Sequence, residues 1–334
     1  MKIAHIYACN AKKNSGDFMI GISTKKYCID VLHLFTENDI VTDIDCRIEN
    51  KGDLLNNYDL IVIGGGGLLL PDSAPNKNSY WQWNIKTEEM KKITKPIYVI
   101  SIGYNTFNGQ TMLMPDIKTN KEDLSILPKL QESLTTLIEK STHFSMRHNK
   151  DIENLNNLLG KTCDNIKFEP CPTIWYATEY MKKQVSNPTE KYIAIEIKDD
   201  REWRRYYKIT KEKFYVQLLN FVLYCKEKKL PVAVLSHDGS SNFFTFLKGK
   251  KIQIPLLDNS VANEKKIIEN YSKISLLLCT AGHSQMIAYG LGIPIISLIT
   301  HPKLQNFCDD FKLDTYIDIN KEIIFDNKLT TMIP

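Results

Sequence analysis

The chain has 334 residues, 43% hydrophobic and 25% charged, which fits two domains of roughly 150 residues, each with its own core. A net charge of +4 set against 43 basic and 39 acidic side chains, with the basic residues scattered, excludes the dense positive footprint of a nucleic-acid binder. No run approaches the roughly 18 apolar residues of a membrane span, Met1 leads straight into a strand pattern without a signal-peptide core, and the eight cysteines form no C-x-x-C pair; a cytoplasmic protein with reduced thiols and no metal site is expected.

Residues 3–8 read as a buried strand. The polar loop 10–17 then opens a helical segment over 18–35. Strands follow at 41–48 and 59–63, the second running into Gly64-Gly65-Gly66-Gly67. Glycine loses the most backbone entropy on ordering, so this run is expected to end the strand and to let Gly65, Gly66 and Gly67 bring backbone N–H groups to a ligand; a turn without a ligand is the alternative. The run lacks the lysine of a nucleotide P-loop. Residues 73–84 carry Trp81 and Trp83, which could wall a sugar site, although packing explains them better. A helix at 87–93, a strand at 97–102 closed by Gly103 and an irregular excursion over 104–121 come next. A helix at 123–140, a strand at 142–146, a helix at 149–159 and a strand at 166–169 complete the half. Apolar strands alternating with helices predict a parallel sheet covered on both faces.

Pro170-Cys171-Pro172 and the polar stretch 178–191 set the boundary between domains 1–175 and 176–334. The same alternation restarts: strand 192–197, helix 211–228, strand 231–236, helix 239–247, strand 251–254, helix 261–271, strand 274–278, a helix from Ser284, strand 293–298 and a helix from about Lys303. The α/β class follows, with two Rossmann-like halves whose crevices, built from strand carboxyl ends, face one interdomain cleft.

Three clusters in the second half carry candidate chemistry. His283 falls at a helix N-terminus beyond a strand's carboxyl end, where orphan N–H groups and the dipole favour anions; capping or packing is the alternative. His237-Asp238-Gly239 lies on the same edge, as a substrate contact or as a helix start capped by Asp238. Arg201, Arg204 and Arg205 follow strand 192–197, either as cleft cations or as a solvated charge run.

Asn14-Ser15-Gly16-Asp17, the strand ending in the glycine run, 97–103, Phe144-Ser145-Met146-Arg147, and His283 through Gly292-Ile293-Pro294 to Lys303 together resemble the polysaccharide pyruvyl transferase family over most of the chain. The resemblance implies a GT-B-like fold and transfer of pyruvate from phosphoenolpyruvate onto a sugar as a ketal, with no cofactor. It implies an acceptor-side first domain and a donor-side second domain. His283 matches the family's histidine, proposed as general acid. Lys303 matches a lysine that could pair with phosphate, and Arg147 stands where the family has arginine, although pairing with Asp151 explains it as well. The implied substrate-binding set is Asn14, Gly16, Asp17, Gly65, Gly66, Gly67, Gly103, Arg147, Arg201, His237, Ser284 and Lys303. Two departures stand out: Ala281 occupies the position of a family arginine two residues before the histidine, and Cys171 precedes Pro172 where the family tends to have aspartate. Loss of a bidentate cation is not conservative for an anion site. The implied partner is a glycan precursor, lipid-linked or nucleotide-linked, with transient contact to a membrane surface left open. A GT-B glycosyltransferase using a nucleotide sugar and a non-catalytic glycan- or anion-binding relative are the alternatives.

Overall fold

The computed structural model describes residues 1–9, 14–73, 76–186, 188–237, 241–260 and 263–321. These divide into two compact units: the first takes the described residues of Met1–Ala11 and Asp17–Pro172, the second those of Lys12–Gly16 and Thr173–Pro334.

The first unit is a six-stranded, wholly parallel sheet. Its strands are β1 (Lys2–Tyr7), β2 (Ile40–Asp45), β3 (Leu60–Leu69), β4 (Ile97–Tyr104), β5 (Ser141–Met146) and β6 (Ile166–Phe168), in the order β2-β1-β3-β4-β5-β6. Its helices are α1 (Ser15–Asp30), α2 (Gly52–Leu55), α3 (Thr87–Lys92), α4 (Leu127–Lys140) and α5 (Asn149–Leu159). The i, i+4 spacing of Leu130, Leu134 and Ile138, with Leu137, gives α4 the buried stripe that covers the sheet. Gly160, in the left-handed region at φ 66°, ends α5 by capping the carbonyls of Asn156 and Asn157. Trp81 and Trp83 are core residues, edge-to-face at 6.0 Å, with the Trp81 indole N–H donating to Ser133 Oγ at 3.2 Å.

The glycine run corrects the sequence expectation: β3 continues through it to Leu69 instead of ending before it. One backbone carbonyl and one side chain explain why glycine is needed at two of these positions. Gly64 has φ 118°, and a Cβ on it would meet the Ile100 carbonyl oxygen at 2.3 Å; Gly66 has φ 93°, and its Cβ would meet Ile20 Cδ1 at 2.9 Å. The Gly65 N–H donates to Thr24 Oγ1 at 3.3 Å. Gly64 and Gly66 therefore let β4 and α1 approach β3 more closely than a side chain would allow.

In the second unit, α6 (Pro172–Tyr176) leads to β7 (Tyr192–Glu196), α7 (Glu202–Arg205), α8 (Lys211–Glu227), β8 (Val232–Ser236), α9 (Asn242–Gly249) and β9 (Leu256–Asp258). Then come α10 (Glu264–Ser272), β10 (Ile274–Cys279), α11 (Gly282–Leu291), β11 (Ile295–Ile299), α12 (Pro302–Asp310) and β12 (Tyr316–Asp318). The six strands are parallel in the order β12-β11-β10-β7-β8-β9, so chain direction across the sheet reverses between β7 and β10. Ligands bind at such switch points, outside the carboxyl ends of the strands.

Several expected boundaries move for identifiable reasons. The stretch read as a polar linker is helical from Pro172 to Gln184, because Ala177 and Met181 are buried and Gly290 of α11 leaves room for Ile174 and Ala177. The strand expected at 251–254 forms instead at Leu256–Asp258: Lys251 takes φ 60°, and the Ile252 N–H closes α9 by donating to the Leu247 carbonyl at 3.0 Å. Helix α9 begins at Asn242 with Ser241 as N-cap; the Asp238 cap and Gly239 lie outside the described residues. All eight cysteines are free thiols. Among the described residues no helix is long and apolar enough to cross a membrane.

Candidate active site

In the second unit the switch point is furnished by the ends of β7, β8, β10 and β11. Strand β10 runs out at Cys279; Thr280 and Ala281 follow, and α11 starts at Gly282, one turn of chain that puts His283 in the helix's first turn rather than ahead of it. Strand β8 delivers the buried His237 just past Ser236. The two imidazoles stack with centroids 6.2 Å apart and planes 21° from parallel.

Gly16 lies between these rings. A Cβ on it would stand 2.2 Å from His283 Nδ1 and 2.6 Å from His237 Nε2, so any side chain would displace both. Ser15 fixes His237 from its other side: Ser15 Oγ donates to the His237 carbonyl at 2.9 Å and lies 3.0 Å from His237 Nδ1, while the Ser15 N–H donates to the same carbonyl at 3.2 Å. Ser284 Oγ is 3.3 Å from His237 Nδ1. Asn14 Oδ1 accepts from the Gly16 N–H at 3.0 Å and shapes the start of α1. Among the residues expected from sequence, Gly16, His237, His283 and Ser284 thus converge.

A basic group adjoins α11. The aliphatic part of the Lys303 side chain passes Gly282 at 3.4 Å from where a Cβ would be, and the Lys303 N–H is held by His301 Nδ1, the N-cap of α12, at 3.1 Å. Asp200 accepts from Arg205 Nη2 at 2.7 Å and pairs with Arg201 Nη1 at 3.1 Å. Arg205 also donates through Nη1 to Thr300 Oγ1 at 2.9 Å and through Nε to the Asp200 carbonyl at 2.9 Å. Burial alone would raise the Asp200 carboxyl, but the charges of Arg205, Lys198 and Lys303 outweigh it and hold the group well below the usual carboxylate range. Arg201, at φ 54°, is the first residue of this loop to leave the ordinary backbone region. The Lys198 N–H donates to Thr280 Oγ1 at 2.6 Å, tying the loop to the residue before Ala281.

The first unit carries a separate cluster at its strand ends. Arg147, just past β5, is 3% exposed; its Nη2 donates to Asn105 Oδ1 at 3.3 Å and its Nε has no hydrogen-bond partner among the described residues. A Cβ on Gly103 would lie 2.2 Å from Arg147 Nη2, and one on Gly67 would lie 2.5 Å from Asn105 Nδ2. Gly67, Gly103 and Arg147 are therefore one group, and the guanidinium hydrogen-bonds Asn105. Asp17, in the first turn of α1, acts electrostatically on Tyr7 within this unit.

Sequence reasoning passed over Ser15, Asn105, Lys198, Asp200 and Thr300 as site residues. Ser15 had a readable signal, a hydroxyl beside a glycine at a helix start; Asn105 and Thr300 sit just past strand ends without any motif.

A family model described as polysaccharide pyruvyl transferase matches residues 13–302. Among curated proteins none matches the chain significantly. Solved structures similar to it include S. aureus MnaA with UDP (10% identity, 95% of this chain and 84% of that one, TM-score 0.50). The UDP-GlcNAc 2-epimerase of Neisseria meningitidis bound to UDP-GlcNAc is another (12% identity, 93% and 90%, TM-score 0.49), as is that of Methanocaldococcus jannaschii with UDP-GlcNAc and UDP (11% identity, 95% and 88%, TM-score 0.48). The architecture is GT-B-like: two Rossmann-like units, each built on a parallel sheet.

Proposed function

Starting from a chain that belongs to the polysaccharide pyruvyl transferase family, and so from a transferase that modifies polysaccharides, we propose that it moves pyruvate from phosphoenolpyruvate onto a sugar of a glycan precursor as a ketal. The observation that carries this reading is the placement of His283 in the first turn of α11 with Lys303 against Gly282. Ketal formation needs a proton delivered to the enol methylene carbon and cationic or N–H dipoles around the donor's phosphate and carboxylate. An imidazolium can deliver that proton near neutral pH. The first N–H groups of α11 and the Lys303 ammonium suit the phosphate.

Ala281 removes the family's arginine, and the loop after β7 is the candidate source of replacement charge: Lys198, Arg201 and Arg205 gather around Asp200 beside the same helix start. Arg147 forms a second anion seat in the first unit, where a buried guanidinium with one weak hydrogen bond is prepared for a carboxylate or phosphate. The acceptor follows from the family: a sugar hydroxyl pair on a lipid-linked or nucleotide-linked glycan precursor.

The test is incubation of the protein with phosphoenolpyruvate and a panel of acceptor sugars, reading inorganic phosphate and pyruvylated product together. Stoichiometric release of both is expected. Release of neither, with thermal protection by UDP and not by phosphoenolpyruvate, would replace this reading with a nucleotide-sugar transferase.

A further inference from the structure

We propose that Asn105 governs the Arg147 anion seat: its carboxamide holds half of the guanidinium's fork until a bidentate oxyanion, two oxygens on one carbon or phosphorus, replaces it. The inference rests on the reading of Arg147 as an anion seat and stands apart from the ketal chemistry.

A guanidinium is planar, and Nε–H and one N–H of Nη2 leave it along the same edge, spaced to meet both oxygens of a carboxylate or phosphate. In Arg147 that edge is half used. Nη2 donates to Asn105 Oδ1 at 3.3 Å, long for a charged donor, and the buried Nε has no hydrogen-bond partner among the described residues. A buried donor left unpaired is costly, and an arginine that serves only as a brace has its fork completed by carbonyls or a carboxylate.

The backbone fixes both partners. Asn105 directly follows β4, with its N–H on the Leu69 carbonyl at 2.7 Å; Arg147 directly follows β5, with its N–H on the Ile102 carbonyl at 3.0 Å. Strands β4 and β5 are parallel neighbours, so the two side chains leave adjacent carboxyl ends. Arg147 is 3% exposed and Asn105 only half-buried, which makes the carboxamide the partner that can turn outward. Turning it off the fork frees Nη2 beside Nε, and its Nδ2, a donor, can then meet the same anion. A neutral hydroxyl offers one oxygen and leaves half of the fork unpaired, so the seat selects anionic groups over plain sugars.

The experiment measures binding and melting on the full chain at low salt, with phosphoenolpyruvate, inorganic phosphate and glucuronate as probes. Asn105→Asp places a carboxylate on the fork from within the chain; it should raise the melting temperature without ligand and weaken probe binding by about 10²-fold or more. Asn105→Ala leaves the fork open and should keep affinity within about tenfold of wild type while melting no higher. Arg147→Lys keeps the charge without the fork and should lose affinity as Asn105→Asp does. Binding of phosphoenolpyruvate assigns the seat to the donor, of glucuronate alone to an acidic acceptor, and of phosphate alone to a phosphate-bearing precursor. The proposal is overturned if no probe binds wild type, or if Asn105→Asp fails to fold, melts lower or binds as wild type does. Wild type that makes no ketal but shows this pattern overturns the pyruvyl-transfer reading and leaves the seat standing; a ketal-forming chain whose binding ignores Asn105→Asp does the reverse.

Discussion

Replacing Arg147 by methionine separates an anion seat from a structural brace. The guanidinium is 3% exposed and makes one hydrogen bond, at 3.3 Å, among the described residues. Burying an ion costs several kcal/mol, and a single hydrogen bond from a charged group returns about 1.5–3 kcal/mol. Methionine fills a similar volume without that cost, so the variant should gain on the order of 1–4 kcal/mol in the first unit. At roughly 2–4 °C per kcal/mol for a unit of this size, the transition should move up by several degrees. Trp81 and Trp83 report on this core, so fluorescence melting in a background with Trp175 and Trp203 changed to phenylalanine isolates the right transition. Titration with phosphate and phosphoenolpyruvate should in parallel lose about 10²-fold or more in affinity where a charge-assisted contact is lost. A methionine variant that melts lower and binds both ligands as wild type does would refute the reasoning.

Gly16→Ala should cost about 1–3 kcal/mol by overpacking against two rings, partly offset by alanine's better helix propensity, and about 10²-fold in turnover from displaced imidazoles; melting and steady-state rates measured together check it. Gly64→Ala, at φ 118° and with the Ile100 carbonyl in its way, should be more damaging, with little folded protein recovered. Glu169 gives a pH test: burial raises its pKa, but hydrogen bonds from His143 at 3.0 Å, Ser145 at 2.5 Å and Tyr27 at 2.7 Å outweigh it and hold the carboxyl below the ordinary glutamate value. Its contribution is therefore present above the unfolded-state pKa and lost as pH falls through the folded one. Denaturant titrations should show Glu169→Gln less stable by about 1–3 kcal/mol at pH 7, with the gap closing toward pH 3. Lys303→Ala should raise the phosphoenolpyruvate KM and Lys303→Arg should recover part of it, with inorganic phosphate as a competitive inhibitor reporting the same order.

The order of elements and the two parallel sheets were legible because buried parallel strands leave uninterrupted apolar runs, such as 274–278, and because helices carry their caps in sequence. The glycine run was misread for a physical reason: a composition that costs a strand its entropy is still used where an adjacent backbone and helix come too close for a Cβ, and that closeness is tertiary. The shift of strand 251–254 to 256–258 likewise depends on a lysine in the left-handed region, which no propensity foretells. At the site, His283 was readable from its place between a strand and a helix. The pairing of His237 with Ser15 was not, because it joins positions 222 residues apart through one hydroxyl.

The second unit is discontinuous in sequence, since it takes Ser15 and Gly16 from the first residues of the chain and the rest from Thr173 onward. During synthesis the hydroxyl that orients His237 is made long before the histidine, and the imidazole pair can be set only after most of the chain has left the ribosome. No single cut yields a second unit with its own site: a fragment starting at Thr173 would have both histidines and neither the serine nor the glycine that arranges them. Exchange of donor specificity between relatives by swapping halves would therefore require the short 14–16 stretch to travel with the carboxyl-terminal half.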